Sequence, residues 1–175
     1  MARRPAPTEY AGWFDRYIRL VEDVDDLGET MARQVDETMA WYRGLTDAQA
    51  ESRYAPDKWT IKEVIGHMAD TERVMQYRAL GVARGDAASF PPFEQDDYAK
   101  TAGHASRTWG SLLDELKCVR QSSIHLFRHL DEASLDRLGS VNGNPTTARA
   151  VGYVILGHER HHLAILKDKY VPATA

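Results

Sequence analysis

Four long stretches of this chain repeat apolar residues every three to four positions, and none sustains the period of two that a half-buried strand requires. A chain so patterned folds by burying helical faces against one another. The first stretch carries Leu27, Met31, Val35, Thr38, Tyr42 and Leu45 behind a capping pair, Asp26 and Glu29. The second begins at another such pair, Thr60 and Glu63, and carries Ile61, Val64, Ile65, Met68, Met75 and Ala79 as far as about Arg84. The third, about 106–131, has Trp109, Leu112, Leu113, Leu116, Phe127 and Leu130, and the fourth, about 147–169, has Val151, Val154, Ile155, Ile165 and Leu166. A shorter helix over 9–22 is expected from Tyr10, Trp13, Phe14, Tyr17 and Val21. The predicted class is all-α: an antiparallel four-helix bundle with a short extra N-terminal helix.

The connection from Gly85 to Ala105 contains Pro91-Pro92 and is longer than neighbouring helices need, so it reads as a crossover that covers a site. The run Gly139 to Pro145 reads as a plain turn cluster. One domain over 9–170 is expected, between a flexible N-terminus at 1–8 and a tail at 171–175. With 26 acidic against 22 basic residues the formal charge is −4, and no basic run exceeds Arg3-Arg4, so nucleic acid is not an expected partner. No apolar run is long enough to span a membrane, Cys118 has no second cysteine to pair with, and Arg3-Arg4 leads into Pro5 rather than a signal sequence. A cytoplasmic protein of a reducing compartment is expected.

Seven histidines remain to be sorted by the face each occupies. At about 100° per residue, His158 and His162 fall at the centre of their helix's apolar stripe, whereas His125 and His129 fall opposite theirs. One pair points inward, the other to water. Inward imidazoles need partners, and either hydrogen bonds within the core or a shared divalent cation would supply them. His161 lies on the flank of the same helix, and His104, beside the long connection, is uninformative.

The run Tyr54-Ala55-Pro56-Asp57-Lys58-Trp59-Thr60-Ile61-Lys62-Glu63-Val64-Ile65-Gly66-His67, continuing to Asp70-Thr71-Glu72-Arg73, together with Gly157-His158-Glu159-Arg160-His161-His162, resembles the DinB/YfiT-like metalloenzyme family. The likeness extends from Tyr10 to Tyr170 and includes Tyr77-Arg78-Ala79-Leu80. It implies a four-helix bundle with a long crossover, commonly a homodimer, holding one divalent metal ion on three histidines; carried over residue by residue these are His67, His158 and His162. Three imidazoles suit zinc, nickel, iron and copper alike, and of these zinc or nickel is the expected ion. The resemblance further implies chemistry on a small-molecule substrate, as a hydrolase or as a thiol S-transferase with a low-molecular-weight thiol as co-substrate. The alternative of another class is a non-catalytic metal or ligand binder.

His158-Glu159-Arg160-His161-His162 also fits H-E-x-x-H, but a metalloprotease would draw a third ligand from downstream and lay its substrate along a strand, and neither is visible. Glu159 reads as a flank residue. Glu72 and Arg120, by contrast, fall inside apolar stripes, where an unpaired charge is costly. They are expected to meet each other or the site, as a buried ion pair or as the candidate catalytic pair, Glu72 an acid/base and Arg120 an anchor for an anionic group. Cys118 lies away from its stripe and is not expected to act as a nucleophile.

Overall fold

The computed structural model describes residues 3–22 and 24–171. Residues 1–2 of the expected flexible N-terminus and 172–175 of the expected tail lie outside the described residues. Two 3-10 turns, Pro7–Glu9 and Gly12–Phe14, lead into α1 (Asp15–Ile18), so the continuous helix expected over 9–22 is reduced to a single helical turn. Then follow α2 (Leu27–Arg43), the short α3 (Asp47–Ala50) and α4 (Ile61–Arg84). The long connection contains β1 (Ser89–Phe90), α5 (Gln95–Thr101) and a 3-10 turn at His104–Ser106. Beyond it come α6 (Trp109–Arg128), α7 (Glu132–Leu135), β2 (Leu138–Val141), β3 (Asn144–Thr147) and α8 (Ala148–Ile165), which ends in a π turn, Leu166–Tyr170.

Each long helix begins where a side chain takes up an otherwise unpaired N–H: Asp26, Thr60, Thr108 and Thr147 accept from Glu29, Glu63, Ser111 and Ala150. At Thr60 the box is complete, because Glu63 Oε2 accepts from the Thr60 N–H at 2.7 Å. At Asp26 only half of it forms. Glu29 turns instead to the Arg128 guanidinium, 2.9 Å away on α6.

In the bundle α4 packs against both α6 and α8, while α2 packs against α6 and less extensively against α8. Arg73 meets Glu115 and Gln76 meets Ser122, so α4 and α6 run parallel. Parallel neighbours require a crossover, and the long connection supplies it. It is fastened at both ends. His104 lies against Gly66 of α4, where any Cβ would overlap the imidazole, and its Nε2 is 3.0 Å from Asp70 Oδ2. β1 pairs in parallel with β2, and the Asn142 N–H donates to the Phe90 carbonyl.

The run read as a plain turn cluster is in fact a β-hairpin: β2 and β3 pair antiparallel, with Val141 opposite Asn144. Asn142 (φ 51°) and Gly143 (φ 71°) make its two-residue turn, the backbone conformation that Asn-Gly adopts most readily. This small sheet is an addition to an otherwise helical molecule. Every residue of α8 from Ala148 to Glu159 is buried, because α4, α2 and α1 pack around it. Among the described residues no helix is long and apolar enough to cross a membrane.

Candidate metal centre

His67 stands two turns into α4, and His158 and His162 are one turn apart near the end of α8. The antiparallel packing of these helices brings the three rings to one point. His158 Nε2 is 3.2 Å from His67 Nε2 and 3.1 Å from His162 Nε2, and one ligand atom from each ring lies within 4.8 Å of the others. His67 and His158 are buried and His162 half-buried. Burial, ahead of any neighbouring charge, pulls the His67 pKa down to about 4 and that of His162 to about 3, and holds His158 well below the ordinary value.

Three neutral imidazoles facing one another cannot all be satisfied by hydrogen bonds, since each ring nitrogen is either one donor or one acceptor. A cation accepts all three lone pairs. Metal–nitrogen bonds of about 2.0–2.1 Å at tetrahedral angles place nitrogens about 3.4 Å apart, close to the separations from His158. The donor set therefore fits a divalent ion.

The surrounding residues hold the rings in place. Trp59, just before the α4 cap, lies against His67 with ring centres 4.8 Å apart, and its carbonyl accepts from the Tyr170 hydroxyl at 2.7 Å. Thr71 Oγ1 is 3.4 Å from His67 Nδ1. Tyr17 sits edge-on to both His158 and His161. That approach depends on Gly157, where a Cβ would overlap the Tyr17 carbonyl.

Glu72 and Arg120 meet, as one of the two expected readings required. Arg120 Nε and Nη2 donate to the two carboxylate oxygens of Glu72 at 2.7 and 2.8 Å, and Ser123 Oγ donates to Oε1. The same guanidinium donates from Nη1 to Glu159 Oε2, which also accepts from Gln34 Nε2. Glu159, expected on a flank, is thus buried at the centre of a charged network behind His158. A cavity of about 10 Å³, roughly the size of one water, lies between this network and His158. His125 and His129 are exposed, and so is Cys118.

Two larger cavities, each of about 300 Å³, adjoin the histidines. One is bordered by His158 together with Tyr17, Met75, Arg78 and Phe93; the other by His162 with Trp59 and Tyr170. Asp96 of α5 borders both. The crossover therefore borders the site. Sequence reading gave no role to Asp96 or His104 and singled out Arg120 ahead of Arg78. Arg78 gave a weaker signal, since it falls about 90° from the centre of the α4 stripe, on its flank, although no acid stands three or four positions away to pair with it.

Comparison with known proteins agrees with this architecture. A protein of Oceanobacillus iheyensis described as a putative metal-dependent hydrolase is 25% identical over 141 residues, 79% of this chain and 79% of its own length. One of Geobacillus thermodenitrificans with the same description is 27% identical over 147 residues, 82% of each. The solved structure of YfiT from Bacillus subtilis, described as a probable metal-dependent hydrolase with an unusual four-helix bundle topology, superposes with a TM-score of 0.67 at 18% identity, over 93% of this chain and 88% of that one. The crossover bundle is thus a shared fold, and since the DinB superfamily model matches residues 9–166, the chain belongs to the DinB superfamily.

Proposed function

We propose that this chain is a metal-dependent hydrolase of small molecules whose divalent ion is held by His67, His158 and His162. The observation that carries the reading is the convergence of three neutral imidazoles, within 4.8 Å, beside cavities of small-molecule size. The description of the two bacterial relatives as metal-dependent hydrolases supports it. Three protein ligands leave coordination positions free, as catalytic sites require, and zinc or nickel suits such a set. The ion, when bound, supplies a Lewis acid able to polarise a carbonyl and activate water near neutral pH.

The protein's own residues do the remainder. Tyr17 and Trp59 fix the ring planes, and the crossover restricts access by water. Asp96 is the carboxylate available to accept a proton, since it borders both cavities. Glu72 and Arg120 act as positioning residues through Glu159, the chain neighbour of His158. A thiol S-transferase would use the same cavities but draw its nucleophile from a low-molecular-weight thiol.

The test is turnover of a panel of 4-nitrophenyl esters and anilides by zinc- and nickel-loaded protein, with and without glutathione, bacillithiol or mycothiol, using His67→Ala as the blank. Metal-dependent turnover without thiol, lost in His67→Ala, is expected. Turnover of electrophiles only when thiol is present would replace hydrolysis by thiol transfer, and no metal-dependent turnover of either kind would leave a non-catalytic binder.

A further inference from the structure

Arg78 is only 4% exposed, and among the described residues no carboxylate pairs with it. Nη2 donates to the Pro91 carbonyl at 2.5 Å, Nη1 lies 3.6 Å from Met75 Sδ, and the guanidinium carbon stands 5.6 Å from the centre of the Phe93 ring. These contacts orient the side chain without neutralising it. Burial accordingly lowers its pKa from the usual arginine value, with only the Tyr98 hydroxyl acting in the other direction. The contrast with Arg120 and Arg149 is direct, for each of those buried arginines grips two carboxylates. A buried guanidinium left unpaired is costly unless something else supplies the anion.

Arg78 lines the cavity of about 300 Å³ that His158 also borders. Arg16, over the Tyr17 ring at 4.7 Å, adds a second positive charge at the same wall. Glu94 and Asp96 line the cavity as well, but both are exposed to solvent, and neither is an ion-pair partner of Arg78. Met75, Phe93 and Val154 give the same cavity apolar surface, beside the polar Thr71, Gln95 and Asn142. A cavity that carries a fixed guanidinium, a candidate metal ligand and some apolar surface selects a molecule of matching design.

We infer that the cavity beside His158 takes a small organic carboxylate, with its carboxylate on Arg78, its apolar body against Met75 and Phe93, and its reacting group toward the three histidines. Only the last clause rests on the metal-dependent reading. The planar guanidinium fork matches a carboxylate through two parallel hydrogen bonds, a geometry that a lysine cannot reproduce.

The test is calorimetric titration of phenylacetate, and of its neutral isostere phenylacetamide, into chelator-treated protein and then into zinc-loaded protein. The metal-free arm removes the metal ion as a carboxylate ligand, and the Arg78 variants then separate Arg78 from Arg16. Phenylacetate is expected to bind the metal-free wild type more tightly than phenylacetamide, and about tenfold to a hundredfold more weakly to Arg78→Met, with phenylacetamide unaffected. Arg78→Lys should fall between, which keeps the test open if Arg78→Met loosens the crossover and fails to fold. Equal phenylacetate affinity in wild type and Arg78→Lys, or no preference for phenylacetate over the amide in wild type, would overturn the inference. Failure of zinc to bind while the Arg78-dependent preference persists would instead overturn the metal reading and leave the carboxylate site standing.

Discussion

Arg120 of α6 and Glu159 of α8 are joined by a 2.8 Å hydrogen bond between two almost fully buried charges, and the same guanidinium grips Glu72 of α4 through both carboxylate oxygens. Three helices of the bundle are thus tied at one arginine directly behind His158. Removing Arg120 strands two carboxylates, so Arg120→Met is expected to destabilise by about 3–5 kcal/mol in urea denaturation. Replacing Glu72 and Arg120 together by leucine should recover little, because among the described residues Glu159 keeps only Gln34 as a side-chain partner. The triple variant that adds Glu159→Gln should recover much of the loss. Strictly additive losses would show that the three side chains do not share a network.

At Gly157 the N-terminal segment approaches α8 so closely that a Cβ would overlap the Tyr17 carbonyl. The obstacle to a side chain there is the Tyr17 backbone, which cannot move aside as a flexible side chain could. Gly157→Ala is therefore expected to cost at least about 1–3 kcal/mol and to detach Tyr17 from the His158 and His161 rings. Gly110→Ala serves as the control, since open space surrounds that position on α6, and it should be neutral or slightly stabilising. Equal melting temperatures for the two variants would contradict the close approach.

The metal-free protein should lose stability on mild acidification. His67 and His162 have folded pKa values of about 4 and about 3, and His158 lies well below its ordinary value. The unfolded chain, with imidazoles near 6.5, then binds protons that the folded chain refuses. Stability is full above pH 6.5 and falls as the pH drops toward the folded values, by about 1.4 kcal/mol per pH unit for each imidazole that remains neutral. Chelator-treated protein should show a urea midpoint that drops between pH 6.5 and 5, with a shallower drop in His162→Gln. A flat profile would show that the rings are not held neutral.

The helices were legible because each carries its own signal: a capping residue at its start and a stripe wide enough to survive single exceptions. His158 and His162 were legible for the same reason, being centred on a stripe. Glu159 was not. An angular argument assumes one buried face, and α8 is buried all round as far as Glu159 because the N-terminal segment packs on the side left by its helical neighbours. The hairpin was missed although Asn142-Gly143 announced it, since its strands are four residues each and contain Gly139 and Pro145, too short and irregular to show alternation. His104 gave no local signal, because its role depends on the space above Gly66, thirty-eight positions earlier in the chain.

The account stands most directly on the metal content of untagged protein, measured by plasma mass spectrometry after dialysis against zinc or nickel. About one ion per chain is expected in the wild type and in the His125→Ala/His129→Ala control, whose histidines are exposed, with near-complete loss in His158→Gln and His162→Gln. Full occupancy in either single variant would contradict the three-histidine centre.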